Sequence, residues 1–346
     1  MNRLAADLDL IAANTAGLWD EIRGQHIFIT GGTGFFGCWL LESFCYLNRF
    51  FDLGASTTVL TRNPSAFSRK CPHLASDPSV TLLAGDVRTF AFPDGEYKYF
   101  IHAATEASAR QATDAPLEML STIVTGTERT LQFAVSRGAA KFLLTSSGAV
   151  YGKQPAQLTH LPEDYTGGPD PLDSTNVYAE GKRTAELLCA LFHRQYGLEC
   201  KIARCWAFCG PYLQLDQHFA IGNFIGDVLA HKPIKIHGDG TPKRSYLYAA
   251  DLAVWLWTIL FRAPAMVPFN VGSARDVSIL ELAQIIAATL DPTIEIRVAK
   301  QAMPGAEPLR YVPSVDRART LLGLCEHVKL ESAIRKTAEW HATCTH

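Results

Sequence analysis

Short apolar runs alternate with longer stretches of helical spacing over about the first 200 residues. Gln25 to Thr30 (QHIFIT), Thr57 to Thr61, Val80 to Ala84, Tyr99 to Ala103, Lys141 to Ser146 (KFLLTS) and Glu199 to Arg204 each read as a short buried strand. Phe36 to Leu47, Leu117 to Arg137 and Asn176 to Tyr196 carry the apolar spacing of helices. Ahead of the first strand, Leu4, Leu8, Ile11, Ala12, Leu18, Trp19 and Ile22 are spaced as one helix over residues 4–23, with acids on its solvent side. Strands alternating with helices predict an α/β fold, a doubly wound parallel sheet with right-handed crossovers. After Pro211 the pattern breaks up. Helices are expected over 218–231, 251–261 and 278–290, with short strands over 233–237 and 294–298. Trp255 and Trp257 fall inside an apolar helix and read as core or interface. No internal repeat and no linker-like run divides the chain.

Composition narrows the classes. The 346 residues carry 32 Lys plus Arg against 34 Asp plus Glu, a net charge of -2. Such a balance gives no general pull toward nucleic acid or an anionic membrane. At 48% hydrophobic and 19% charged residues the chain is a folded globule. Its nine cysteines are odd in number and include no C-x-x-C pair, so they read as free thiols in a reducing compartment. Cys and His are too scattered for a zinc site, and no metal is expected. The N-terminus has acids at Asp7, Asp9, Asp20 and Glu21 and no long apolar run, unlike a signal peptide. The most hydrophobic window, Val254 to Phe261, is too short to span a bilayer. A soluble, cytoplasmic protein is expected.

Three motifs carry chemistry. Gly31-x-x-Gly34-x-x-Gly37 follows a strand and opens a helix. There glycine lets the backbone approach a pyrophosphate, and the helix N-terminus offers N–H donors. At the end of the second strand stand Thr61, Arg62 and Asn63, where NAD-binding chains usually place a carboxylate for the ribose hydroxyls. With no carboxylate to repel a 2′-phosphate, and Arg62 able to clamp one, NADP is favoured. NAD remains the alternative, with Arg62 a solvated loop residue. Third, Tyr178 and Lys182 lie four apart on one helix face, with Ser147 at the end of the fifth strand. A neighbouring ammonium is expected to lower the tyrosine pKa and make it a usable base.

With these motifs in place the chain resembles an extended short-chain dehydrogenase/reductase of the nucleotide-sugar epimerase/dehydratase type. TGGTGFFG (residues 30–37) resembles the family's T-G-x-x-G-F-x-G, Gly85-Asp86-Val87 its adenine-contacting G-D-h, and His102-Ala103-Ala104 its h-H-A-A. Residues 146–152 (SSGAVYG) resemble S-S-x-x-V-Y-G, and Tyr178-Ala179-Glu180-Gly181-Lys182 matches Y-x-x-x-K. Arg204 to Pro211, Gly238 to Asp251 and Asn270-Val271-Gly272 resemble later motifs, so the likeness runs from about residue 25 to 325.

The resemblance implies a Rossmann sheet with a smaller, interleaved C-terminal substrate domain. The boundaries expected are a helical extension over 1–24, a dinucleotide-binding domain over 25–210 to which later segments return, and a mainly substrate-binding part over 211–346. It implies that Tyr178 is the acid/base, that Lys182 binds the nicotinamide ribose, and that Ser147 orients the reacting oxygen. Gly31, Thr33, Gly34, Phe35, Phe36, Gly37, Arg62, Asp86, Val87, Ala103 and Ala104 would line the cofactor together with Tyr178 and Lys182. Asn223 and Arg244 would bind the diphosphate of a nucleotide-diphosphate sugar, alongside Ser147 and Tyr178. The Arg310 region could also touch substrate, although the motif match there is poor.

Departures from the family pattern sharpen the reaction. Dehydratases and decarboxylases of the family usually carry acids directly after the active Ser/Thr, where this chain has Gly148 and Ala149. Elimination of water needs such an acid and base, so a 4,6-dehydratase is disfavoured. Ala207 likewise replaces the family's asparagine. Hydride transfer at sugar C4 is expected, as a 4-ketoreductase driven by NADPH, or alternatively as a 4-epimerase with tightly held NAD. A non-catalytic dinucleotide sensor is the distant alternative, and a homodimer is expected.

Overall fold

A computed structural model describes residues 3–105, 109–217, 219–303 and 305–344. Six strands follow the apolar runs closely: β1 (His26–Thr30), β2 (Ser56–Thr61), β3 (Val80–Ala84), β4 (Tyr99–His102), β5 (Lys141–Ser147) and β6 (Glu199–Cys205). A seventh, Pro268–Val271, was not foreseen as a strand; it adds in parallel beside β6. The sheet runs Pro268–Val271, β6, β5, β4, β1, β2, β3, with every pairing parallel. The order reverses between β1 and β4, so the carboxyl ends of those strands diverge and open a crevice.

Two apolar cores cover the two faces. On one face α1 (Ala5–Thr15), α2 (Phe35–Phe50) and the helix Ala249–Arg262 pack together, burying Trp39, Trp255 and Trp257 completely. The expected burial of Trp255 and Trp257 is found, and their indole N–H groups donate to Cys325 O (3.1 Å) and Ser43 Oγ (2.9 Å). On the other face the helices Pro116–Ser136 and Val177–Tyr196 cover Phe28, Phe100, Phe133 and Phe142. Packing on both sides explains why these strands read as continuous apolar runs.

The single helix expected over 4–23 is corrected. The chain leaves α1 at Ala16, turns through Gly17 at φ +80°, and resumes as one short turn at Trp19–Ile22. A positive φ is what glycine permits at little steric cost, and it ends a regular helix. Beyond Pro211 the described helices are Ala220–Leu229, Ala249–Arg262, Ile279–Leu290, Asp316–Leu322 and Leu330–Cys344; position 218, where the first was expected to begin, lies outside the described residues. A three-stranded ribbon joins Val277–Ser278, Lys243–Arg244 and Arg310–Tyr311, with Tyr311 in register with Arg244. Among the described residues no helix is long and apolar enough to cross a membrane.

Candidate active site

The glycine turn is shaped by close approach. Gly31 sits at φ +72°, and a Cβ there would stand 2.3 Å from the Ala103 carbonyl oxygen. A Cβ on Gly37 would meet the Gly32 backbone at 2.2 Å. Gly34 differs: its Cβ would have only the Gly31 carbonyl oxygen nearby, at 3.5 Å, and it faces outward at the N-terminus of α2. No side chain caps that terminus and no acid stands in its first turn. A 16-residue helix with an uncapped start and an unobstructed glycine above it fits the pyrophosphate of a dinucleotide. Around it, the Thr33 carbonyl accepts Lys70 Nζ at 3.1 Å, and Phe36 packs edge-on against Phe208. Phe35 packs against Phe36.

Along the strand ends, Asp86 is clamped by Arg88 through its backbone N–H, Nε and Nη2 at 2.7–2.9 Å. The Arg88 guanidinium holds the Asp86 carboxyl down at about 2. Arg62 is exposed just past β2, close enough to Asp86 to favour the same ionised form. Val87 is buried against Gly126. His102 lies buried between Thr30 Oγ1 (2.8 Å) and Thr127 Oγ1 (3.0 Å), and burial pushes it down to about 3. It is a neutral cross-link between β1, β4 and the helix above them. Ala103 and Ala104 return their N–H groups to Thr30.

The structure brings Ser147, Tyr178 and Lys182 together. Ser147 ends β5 and accepts the Ala149 N–H at 3.1 Å, and its hydroxyl stands near enough to the Tyr178 phenol to favour the ionised form. Lys182 Nζ lies 5.9 Å from the Tyr178 ring centroid. One expectation is corrected here. Lys182 is only 2% exposed, and its ammonium donates to Thr105 Oγ1 and the Thr145 carbonyl, both at 2.8 Å. Burial pushes Lys182 down to about 8 and Tyr178 up to about 12, so desolvation outweighs the lowering foreseen for the tyrosine.

Of the expected diphosphate residues, Arg244 is half-buried, donates to the Lys243 carbonyl, and places its guanidinium 6.0 Å from the Tyr311 ring centroid. Asn223 is exposed, and with its amide oriented so that the NH₂ faces them it would donate to the Leu215 and Gln217 carbonyls at 3.1 and 2.6 Å. It ties down a local loop.

Sequence reasoning missed Thr105, Trp206 and Tyr311. Tyr311 packs on Trp206 with ring centroids 4.3 Å apart, and its phenol lies in the neighbourhood of Ser147 and Tyr178. A Cβ on Gly148 would stand 2.7 Å from the Trp206 ring and 2.8 Å from Tyr311 Oη. The glycine that looked like a lost acid is therefore the space these two rings fill. Glycine after an active serine, with aromatics elsewhere, was the available signal.

The model of the NAD dependent epimerase/dehydratase family matches residues 27–272. UDP-glucuronic acid decarboxylase 2 of Arabidopsis thaliana is 31% identical over 314 residues, 90% of this chain and 67% of its own length. Among solved structures, the UDP-N-acetylglucosamine 4-epimerase of Methanobrevibacter ruminantium M1, in complex with UDP-N-acetylmuramic acid, aligns with TM-score 0.79 at 21% identity, over 93% of this chain and 99% of its own. The UDP-glucuronic acid 4-epimerase of Bacillus cereus, in complex with UDP-glucuronic acid and NAD, aligns with TM-score 0.76 at 21% identity, over 92% of this chain and all of its own. At those identities the structural matches establish the fold.

Proposed function

The chain belongs to the NAD dependent epimerase/dehydratase family, and from that premise we propose that it acts at C4 of a nucleotide-diphosphate sugar, as a 4-epimerase that retains its dinucleotide. The observation that carries this reading is the Ser147–Tyr178 pair standing beside Gly148 and Ala149, which have no side chain able to move a proton. With Trp206 and Tyr311 filling the space at position 148, no acid can be seated there.

In this mechanism Ser147 holds the C4 oxygen. Tyr178, as phenolate, takes the proton from the C4 hydroxyl while the C4–H bond breaks, leaving a ketone. A dinucleotide held at the glycine turn and by Lys182 would supply the acceptor for that hydride and the donor for its return. If the ketone turns its other face before the return, Tyr178 gives back the proton and the C4 epimer forms. Lys182, fixed by Thr105 and Thr145, would hold the nicotinamide ribose. Arg244 would hold the diphosphate from the later part of the chain, while Asn223, engaged with the Leu215 and Gln217 carbonyls, would steady the loop beside it. The expected homodimer would use Leu117, Leu187, Leu191 and Tyr196, which stay exposed on the paired helices Pro116–Ser136 and Val177–Tyr196.

NADP, and with it the 4-ketoreductase, rested on Arg62. The Bacillus cereus epimerase holds NAD, and the Arg62 side chain lies exposed on the flank of Asp86. We place NAD first on that basis. A second reading, decarboxylation of a UDP-hexuronic acid, is favoured by the 31% identical decarboxylase. A C4 ketone would make the C6 carboxylate a β-keto acid, able to lose carbon dioxide.

The test is incubation with UDP-glucose and UDP-glucuronic acid plus NAD, reading product mass and C4 configuration. A C4 epimer of unchanged mass supports the proposal. Loss of water overturns it in favour of a dehydratase, and loss of carbon dioxide in favour of the decarboxylase.

A further inference from the structure

Lys70 comes from outside the glycine motif and reaches back to it. It ends the helix Pro64–Lys70, which follows β2. Asn63 caps the start of that helix by accepting the Ala66 N–H at 2.9 Å, and Phe67 is buried beneath it. Cys71, directly after Lys70, is also buried, and its N–H returns to the Phe67 carbonyl at 2.8 Å. The backbone at Lys70 is therefore anchored, while its side chain stays exposed. Lys70 Nζ donates to the Thr33 carbonyl at 3.1 Å. Cys38 Sγ, from the first turn of α2, donates to the same carbonyl at 3.8 Å. The ammonium thus stands on the flank of that first turn, one residue from Gly34, the N-cap of α2.

This cation is not used up by the protein. An ammonium carries three donors, and the Thr33 carbonyl takes one. The ion pairs of the surrounding chain, Arg49–Asp77, His73–Glu42 and Arg88–Asp86, leave Lys70 out. Glu42, the acid of α2, is engaged by His73 Nε2 and the Tyr212 hydroxyl. No acid stands in the first turn of α2 and no side chain caps it. A positive helix end and an ammonium with spare donors therefore lie side by side, and both favour an anion.

We propose that Lys70 is a further binding residue for the dinucleotide, its ammonium pairing with a phosphate group of the cofactor at the N-terminus of α2. The inference rests on the reading of the glycine turn as the dinucleotide site. A dinucleotide offers two sources of that group. The pyrophosphate is common to NAD and NADP, and the 2′-phosphate is carried by NADP alone. The Thr33 carbonyl holds the ammonium in place before the ligand arrives, so less side-chain freedom is lost on binding.

The test is calorimetric titration of the purified protein with NAD and with NADP, at low and high salt, for wild type, Lys70→Gln and Lys70→Arg. Glutamine keeps an N–H donor for the Thr33 carbonyl and removes the charge; arginine keeps the charge. We expect Lys70→Gln to bind the dinucleotide about five- to tenfold more weakly at low salt, and Lys70→Arg to stay within about twofold of wild type. The gap should close near ~1 M salt, where charges on the surface are screened. Both variants should melt with the wild type, because the side chain is exposed. An equal loss for NAD and NADP supports the proposal with the pyrophosphate as its source. A loss confined to NADP supports it with the 2′-phosphate as source. Unchanged affinity for both in Lys70→Gln, an equal loss in Lys70→Arg, or a loss that salt does not reduce would overturn it. A wild type that binds neither dinucleotide would overturn the reading of the glycine turn and this inference with it. The titration needs no sugar substrate, so failure of the C4 chemistry is read separately.

Discussion

The side of this crevice proposed for the cofactor and the side proposed for the sugar are built by different means. The cofactor side is mostly backbone: a glycine turn pressed on the Ala103 carbonyl, an uncapped helix start, and strand ends cross-linked by a neutral His102. Its parts are contiguous in sequence or lie on adjoining strands. The proposed sugar side is assembled from five distant segments: Ser147 and Gly148, Tyr178, Trp206, and the two ribbon strands carrying Arg244 and Tyr311. Local geometry dictates the first, and tertiary packing assembles the second. The first should therefore fail through the backbone, and the second through individual hydroxyls.

The largest expected effect is on the sugar side. Tyr178→Phe removes the proposed proton-transfer group and should lower turnover about 10²–10⁴-fold while NAD binding stays intact. Steady-state rates together with calorimetric titration of NAD check both halves of that statement.

On the cofactor side, two glycines should part company. Gly37→Ala forces a Cβ to within 2.2 Å of the Gly32 backbone. Overpacking of that kind costs about 1–3 kcal/mol or more, so the melting temperature should drop. Gly34→Ala has room within the protein, its nearest neighbour 3.5 Å away. It should leave the melting temperature unchanged and weaken NAD binding, because the added methyl stands where a pyrophosphate would lie. If both variants lose stability equally, the distinction between packing and ligand glycines is wrong.

Lys182 sits where the two sides meet and should affect folding with the sign opposite to that of Gly37→Ala. Burial lowers it from the ordinary 10.5 to about 8. Below pH 8 the lysine is charged folded and unfolded, and the cost of burying that charge is fully present, on the order of 3 kcal/mol. Between about 8 and 10.5 the unfolded chain binds more protons, so stability rises with pH across that window. Lys182→Met should stabilise the protein by about 1–3 kcal/mol near pH 7, abolish turnover, and remove that rise. Denaturant titrations of both proteins at pH 7 and 10 check it. An unchanged or lower stability for the variant would show that the Thr105 and Thr145 hydrogen bonds fully offset the desolvation.

This division also explains what could be read beforehand. β1 to β6, the glycine turn and the helix bearing Tyr178 and Lys182 were legible because apolar periodicity and glycine spacing are local signals. Pro268–Val271 escaped notice because a proline and a buried asparagine interrupt its apolar run; Asn270 is instead held by hydrogen bonds to Tyr151, Trp206 and the Leu161 carbonyl. Tyr311 escaped because its strand is two residues long and acquires meaning only through pairing with Arg244. Gly148 was read correctly as lacking an acid, yet its reason, the packing of Trp206 and Tyr311, is visible only in three dimensions. The raised pKa of Tyr178 is not legible in the sequence, which shows the neighbouring ammonium and hides the burial of both groups.

The central claim is that chemistry stays at C4, with no proton moved at C5. Running the NAD-loaded enzyme on UDP-glucose and UDP-glucuronic acid in heavy water tests it most directly. A 4-epimerase passes hydrogen from C4 to the dinucleotide and back, so we expect C4-inverted product with no deuterium on any sugar carbon. Dehydration and decarboxylation both end by protonating C5 from solvent. Deuterium at C5 of the product would contradict the account.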